Sequence, residues 1–456
     1  MHLSIDMIKA FLVFSFSLLL CISCSKNNLD RATLRLIFTC DTIGKLEPCG
    51  CFTGQYGGLA RIQTAVKEQK ESFQIRVDAG NAISGTEDYD FVLYKQVREA
   101  FNQMGFHAMN VGVGECLLTK QELLEAAKLP GPPLISANLV DTQTAQPILQ
   151  PFVKVDHQGT KILITGVVDP NLIAKRNSPG IKVTDMKQSL QQISQEEADI
   201  KILLAYCNEE KLKQLANDYF EFDFIIGGKV RQPLQDLLKV NRSYIFYTTN
   251  EAKNVGLALA EYKEGKIASC DFDIPLLFEQ VPEDVKIKQL VAKYRQEVKE
   301  TKLKVDDPGQ LSDDYIPGVK QHAEYVGTQQ CAGCHAEAFE TWKESGHAKA
   351  FQTLKDNHAE ADPKCISCHV VGFGEKSGYE RIFEDRKLVD VGCESCHGPG
   401  SQHVQERLKG GKVLYRYRPL GAGDCQTCHY GEFSRPFEWD EMWPLIEHGK
   451  EKNEVY

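Results

Sequence analysis

The chain is short of positive charge. Its 53 Lys and Arg stand against 63 Asp and Glu, for a formal net charge of -10 over 456 residues. The pI is about 5.7. A phosphate backbone is bound through a surplus of Lys and Arg on one face. No basic stripe supplies that surplus, so nucleic acid is excluded as a partner. Long apolar runs are missing too. After Cys24 no stretch approaches the roughly 18–20 apolar residues that span a bilayer, so no later transmembrane helix is expected. Methionine is scarce, with 6 in the chain and only Met442 beyond residue 325. Low-complexity tracts are absent. What remains is a folded chain with 42% hydrophobic content, long enough for two or three domains.

Against this sparse background, one pattern repeats four times. Cys331-Ala-Gly-Cys334-His335, Cys365-Ile-Ser-Cys368-His369, Cys393-Glu-Ser-Cys396-His397 and Cys425-Gln-Thr-Cys428-His429 are all Cys-x-x-Cys-His. This is the attachment signature of c-type haem, in which two thiols bind the porphyrin vinyls and the next His ligates the iron. Zinc or disulfide Cys pairs are the alternative, but zinc pairs need no His after every second Cys. Four c-type haems are therefore expected, with His335, His369, His397 and His429 as proximal ligands. Four haems within residues 325–456 leave about 30 residues each, too few for a conventional core. The porphyrins are expected to form most of that core, among short helices and loops. Helical spacing runs from Ala336 to Phe351.

Each iron needs a sixth ligand. Met442 serves one iron at most, whereas His322, His347, His358, His403 and His448 are all at hand. Bis-His ligation is the better reading and implies low potentials, since an axial Met raises them. His358 lies in a charged stretch and His322 precedes the module, so both are expected to face solvent.

The segments Ser345-Gly-His347-Ala-Lys-Ala-Phe351, Cys393-Glu-Ser-Cys-His-Gly-Pro-Gly-Ser-Gln-His403 and Trp443-Pro-Leu-Ile-Glu-His448-Gly449 resemble those of the tetrahaem cytochrome c-554 family. The resemblance implies that His347, His403 and His448 are distal ligands; the alternative for each is a surface His on a loop. It also implies one iron with an open or water-filled sixth site. The sequence does not say which distal His serves which iron.

The chain opens with an export signal. His2 and Lys9 precede the apolar run Phe11 to Leu20, which is too short to span a bilayer comfortably. The following Leu20-Cys-Ile-Ser-Cys24 looks like a lipoprotein cleavage box with Cys24 lipidated, although Cys21 stands where Leu is usual. An ordinary cleaved signal peptide or an uncleaved anchor are the alternatives. All three export the chain, to the periplasm or outer surface, in keeping with haem attachment outside the cytoplasm.

From Leu34 to Leu277, strand-like runs alternate with amphipathic helices in a layered α/β pattern. Expected strands are 34–39, 73–77, 108–113, 134–138, 161–167, 200–206 and 222–226, with hairpins from 244 to 274. Expected helices are 58–71, 91–104, 120–127, 186–197, 209–219 and 281–301. The turns between them resemble those of the 5′-nucleotidase-type metallophosphoesterase domain. They are Thr39-Cys-Asp41-Thr-Ile43-Gly44, Gly57-Gly-Leu-Ala-Arg-Ile62, Asp78-Ala-Gly-Asn81, Gly112-Val-Gly-Glu115, Ala205-Tyr206 and Gly227-Gly-Lys229-Val-Arg231.

That resemblance implies a four-layer αββα fold with most metal ligands lost. Asp41 survives; Asn81, Ile43, Val113, Tyr206, Lys229 and Arg231 stand at ligand positions, and Gly114 replaces the catalytic His. A two-metal hydrolysis needs both ions, so the phosphoesterase is expected to be inactive. Cys49, Cys51, Cys116 and Cys207, with Cys40 nearby, are expected at converging strand ends. They are either a four-thiolate metal or iron–sulfur site, or disulfides, or free. Cys270 is expected to be buried. Lys229 and Arg231 either bind an anion or lie in a solvated loop.

The expected division is a signal over 1–24, a degenerate phosphoesterase-like domain over 31–280, a helix and linker over 281–324, and a tetrahaem domain over 325–456. The first functional reading is electron transfer in a respiratory chain between redox protein partners, from a lipid anchor on the membrane. The second is a multihaem oxidoreductase acting on a small nitrogen or sulfur species. The third is a surviving phosphoesterase fused to a cytochrome.

Overall fold

The computed structural model describes residues 32–48, 55–174, 178–230, 232–249, 251–263, 265–301, 323–380, 386–410, 420–430 and 437–449. The strands run, in chain order, β1 (Ala32–Thr39), β2 (Phe73–Asp78), β3 (Ala108–Asn110), β4 (Leu134–Ile135), β5 (Leu139–Asp141), β6 (Phe152–His157), β7 (Thr160–Val168), β8 (Ile181–Val183), β9 (Ile200–Tyr206), β10 (Phe224–Gly228), β11 (Leu238–Val240), β12 (Ser243–Tyr247), β13 (Gly256–Lys263) and β14 (Lys266–Asp273). They form two six-stranded sheets, β14-β13-β1-β2-β3-β4 and β11-β12-β10-β9-β7-β6, with a small β5-β8 ribbon beside them. The centre of each sheet is parallel: β1 pairs β2, and β9 pairs both β7 and β10.

Side-chain alternation along a strand sorts the core into layers. On β1, Leu34, Leu36 and Phe38 join Ile164, Leu203, Ile225 and Phe246 of the other sheet in one buried cluster. The intervening Ile37 faces the opposite way, toward Leu59, Ile62, Val97 and Phe101 of the outer helices. The result is the expected αββα sandwich. The loop before the Leu59–Lys67 helix needs its glycines: Gly57 and Gly58 have φ of 72° and 89°, and a Cβ there would meet Ala252 O at 2.4 Å and Pro48 N at 2.6 Å.

The helix Val285–Thr301 drives Ile287, Leu290, Val291, Tyr294 and Val298 into the outer-helix core. Burying such side chains is worth about 1.5–3 kcal/mol each before ordering costs, so the helix is packed as part of the sandwich. Residues 302–322, the expected linker, lie outside the described residues.

The carboxyl-terminal region is a chain of short helices joined by loops. The expected helix Ala336–Phe351 is broken into Ala336–Glu344, a 3-10 turn Gly346–Lys349 and a helix Ala350–Asp356. Ser345 makes the break. Its ψ of 164° leaves the helical region, and its hydroxyl accepts the amide of His347 at 3.2 Å.

Candidate haem centres and the degenerate phosphoesterase site

Each Cys-x-x-Cys-His stretch is one helical turn. His335 N donates to Cys331 O at 2.9 Å, and His429 N to Cys425 O at 2.8 Å. The turn presents both thiols together with the imidazole close behind. The motifs stand in pairs. Cys331 lies against Cys393, and Cys368 against Cys428. The first motif is therefore beside the third, and the second beside the fourth.

The fold brings the remaining imidazoles to these motifs one to one. The rings of His335 and His403 are 6.1 Å apart between centroids, those of His429 and His347 5.9 Å, and those of His397 and His448 5.8 Å. A metal–imidazole bond of about 2 Å on either side of one ion puts ring centres roughly this far apart, so each pair fits an iron between its rings. Two second contacts fix ring orientation. His369 Nδ1 lies 2.6 Å from Ala350 O, and His448 Nδ1 2.7 Å from Ile446 O. Donation from Nδ1 to a carbonyl leaves Nε2 for the metal. Burial, then the neighbouring His448 and His335, pushes His397 down to about 4, which keeps it in the neutral, ligating form.

No imidazole stands opposite His369 among the described residues. His358 is exposed, on left-handed backbone with φ 54°. His322 lies outside the described residues.

The supports for these rings were not visible as motifs. Glu394, the second residue of the third motif, is 4% exposed and gathers three amides. Its oxygens accept Val326 N at 3.0 Å, Gly327 N at 2.7 Å and Gly400 N at 2.7 Å. It thereby ties the start of the module to the Ser401–Leu408 helix that carries His403. Trp342 Nε1 donates to Val391 O at 2.8 Å, and Val391 N to His347 O at 3.2 Å, which anchors the His347 turn.

The protein core beneath is small: Phe351, Leu354, Ala359, Ile366, Val370, Val371, Tyr379 and Leu388. The helices Ala336–Glu344, Ser401–Leu408, Ala422–Cys425 and Trp439–Met442 have no fully buried side chain. Helices this short are not stable in water without a packed face, and a porphyrin is an apolar partner of the required size. The donor set, the ring spacing and these faces all fit covalently held haem.

The loops at the strand ends of the sandwich converge on Asp41. Its Oδ1 accepts Asn81 Nδ2 at 2.7 Å and the Tyr206 hydroxyl at 2.5 Å, and its Oδ2 accepts Lys229 N at 3.1 Å. Burial and the Asp41 carboxylate push the Tyr206 phenol well up. Asp41, Ile43, Asn81 and Lys229 all have positive φ, of 48°, 45°, 66° and 62°. Buried Glu115 accepts four amides, from Asn81, Ala82, Ile83 and Gly112, at 2.8–3.1 Å. Val113 and Gly114 offer no metal-ligating side chain, and Gly114 N donates to Asn81 Oδ1 at 2.8 Å.

Of the expected thiol cluster, only Cys116 and Cys207, with nearby Cys40, fall among the described residues. Cys40, Cys116 and Cys207 are buried free thiols. Cys40 meets Thr248 Oγ1 at 3.2 Å and shares the inter-sheet core with Cys207, while Cys116 lies in the outer-helix core. Burial pushes all three upward, away from the thiolate form. Among the described residues no group of three His, Cys, Asp or Glu is placed to hold a metal ion. Cys24, Cys49, Cys51 and Arg231 lie outside the described residues. Cys270 is half-buried on β14 rather than fully buried, and Lys229 is exposed.

Fold and site together define a two-part protein: a metallophosphoesterase-like α/β sandwich followed by a helical c-type cytochrome region. Comparison with known proteins gives the particulars. Residues 330–398 match the family model described as cytochrome c554 and c-prime. Cytochrome c-554 of Nitrosomonas europaea is 38% identical over 107 residues, which is 20% of this chain and 46% of that protein. A 5′-nucleotidase of Vibrio cholerae is 22% identical over 265 residues, 48% of each. The chain thus spans about half the length of the curated relatives it matches. Among solved structures, the 5′-nucleotidase precursor of Thermus thermophilus aligns with TM-score 0.51 at 22% identity, covering 58% of this chain and 59% of that one. The sulfate thiohydrolase SoxB of the same organism aligns with TM-score 0.52 at 14% identity, covering 68% and 67%. At these identities the likeness shows the fold alone. Among the described residues, no helix is long and apolar enough to cross a membrane.

Proposed function

We propose that this chain is an exported tetrahaem c-type cytochrome that carries electrons in a respiratory chain. The observation that carries the reading is the set of three His–His pairs, each with one member in an attachment motif and each spaced for one iron. In this reading the thiol pairs Cys331/Cys334, Cys365/Cys368, Cys393/Cys396 and Cys425/Cys428 would hold the haems covalently through their vinyl groups. His335 and His403 would ligate the first iron, His397 and His448 the third, His429 and His347 the fourth, and His369 the second. The haems would supply one-electron redox chemistry, while the protein sets their ligation and surroundings. Bis-His ligation sets low potentials. Lipidation at Cys24 would anchor the protein to a membrane, and its partners would be redox proteins.

The sandwich is, in the same reading, an inactive phosphoesterase relic used for docking or sensing. Asp41 is taken up by Asn81, Tyr206 and Lys229, and Ile43, Val113 and Tyr206 cannot complete a two-metal clamp. Mass measurement of the mature protein tests the first claim: four haem increments are expected, and fewer refute the tetrahaem reading. Phosphate release from 5′-nucleotides with manganese or zinc tests the second; any turnover abolished by Asp41→Ala refutes it.

A second reading is favoured by His369, which has no imidazole opposite it among the described residues. A small nitrogen or sulfur species could then bind at that iron. A high-spin signal with turnover of nitrite, nitric oxide or hydroxylamine supports it, and a fully low-spin spectrum ends it.

A further inference from the structure

A run of contacts from the sandwich lands on one short segment of the haem region, residues 357–364, immediately before the second attachment motif. From the Val285–Thr301 helix, Tyr294 donates its hydroxyl to Asp362 Oδ1 at 3.2 Å, Arg295 donates to Asn357 O at 3.0 Å, and Lys299 pairs with Glu360 at 3.0 Å. From the Asp88–Gln103 helix, Asp90 pairs with Lys364 at 2.9 Å. Arg295 is braced by Glu47 at 2.7 Å. The centre of this contact is dry: Tyr294 and Asp90 are each 3% exposed, and Asp362 is 8% exposed.

Asp362 is also the N-cap of the Pro363–Ile366 helix that carries Cys365. Its side chain accepts Lys364 N at 3.1 Å, and its carbonyl accepts Cys365 N at 3.0 Å. The residue that starts the second attachment turn is thus held from the other domain. Four carboxylates, Glu47, Asp90, Glu360 and Asp362, meet three cations, Arg295, Lys299 and the exposed Lys364, beside the thiol that would anchor the second haem, which leaves an excess of negative charge. In a medium of low polarity such charges act strongly on a nearby iron. Excess negative charge favours its oxidised form, and local charge is one of the levers that set haem potential.

We infer that the sandwich builds the setting of the second haem: Tyr294 and Asp90 are positioning residues that fix the Asp362–Cys365 turn and hold down the reduction potential of the haem on Cys365, Cys368 and His369. This rests on the reading that His369 ligates a haem. It makes the sandwich a working part of the redox module rather than a passenger. The site it governs is the one whose iron lacks a second imidazole among the described residues.

The test uses the full-length, haem-loaded protein. Spectroelectrochemical titration resolves the four midpoints, and the high-spin signal marks the His369 haem. Asp90→Asn removes one negative charge and should raise that midpoint alone; Lys364→Met removes the cation and should lower it. Tyr294→Phe, which keeps volume and loses one hydrogen bond, should alter the high-spin signal and leave the three bis-His haems unchanged. Midpoints unmoved in both charge variants, or four midpoints moving together, overturn the inference. If Asp90→Asn does not fold, Lys364→Met decides the sign by itself. A protein mass with fewer than four haems would instead show that the ligation reading, and the inference with it, is wrong.

Discussion

Glu394 offers a sharp test of how the first haem site is held. Its carboxylate is buried and accepts the amides of Val326, Gly327 and Gly400. Glu394→Ala strands two buried donors, Gly327 N and Gly400 N, and one half-buried donor, Val326 N. Each unsatisfied donor costs about 1–3 kcal/mol, and water entering the gap recovers part of it, so a loss of about 3–5 kcal/mol is expected. Glu394→Gln keeps the shape and one oxygen; about 1–2 kcal/mol should be lost with the charge-assisted character of the bonds. Denaturant unfolding of the haem-loaded protein, followed by haem absorbance, measures both. The damage should also be local. Gly400 N is one of the three donors, and Gly400 precedes the Ser401–Leu408 helix that brings His403 to His335. Glu394→Ala should therefore convert one haem toward high spin while the haem count stays the same. A loss below about 1 kcal/mol, within the range of an ordinary surface change, together with an unchanged spin state, would refute this account of the clamp.

Other outcomes follow from the ring pairs and from burial. His347→Ala, His403→Ala and His448→Ala should each add one five-coordinate haem to the spectrum, whereas His358→Ala should add none; a silent distal variant would break the corresponding pair assignment. His107 supplies a pH test. Its Nδ1 accepts Arg76 N at 3.1 Å, and burial lowers its pKa below 6.5. The unfolded chain therefore binds the proton more readily, so this contribution is complete above about pH 6.5 and lost as pH falls through the lowered folded value. His107→Asn should flatten the fall in unfolding free energy between about pH 7 and 5; an unchanged slope would count against it.

What the sequence revealed, and what it hid, divides along chain distance. The attachment motifs are local, since one helical turn holds both thiols and the His, and they were readable directly. So were β7 and β9, whose apolar runs are long and buried on both faces, and β1 and β2, where apolar residues alternate with Arg35, Gln74 and Arg76. The short β5 and β8 and the half-exposed β6 lacked such a signal. Pairing of His347 with His429, rather than with the nearer His369, depends on the break at Ser345, where helical spacing continues in the sequence but the backbone does not. Glu394 was hidden inside a motif whose Cys and His took all the attention. Tyr294 read as one apolar position of a linking helix, and nothing local to it announces Asp362. The strand ends do converge on Asp41, as expected of a layered α/β fold; of the described thiols there, Cys40 and Cys207 share one core while Cys116, on a short helix, lies in the other.

The Asp41 hub has a consequence for how the sandwich opens. One carboxylate fastens the loops that follow β2 and β10 to the end of β9, and Glu115 fastens the β2 loop again to the turn after β3. No loop can swing out without releasing the rest, although four of the residues involved sit in left-handed backbone that would relax if freed. The cluster should act as a single cooperative unit. In native-state hydrogen exchange the amides of Asn81, Ala82, Ile83, Gly114 and Lys229 should then report one common opening event, and scattered rates among them would show the loops moving independently.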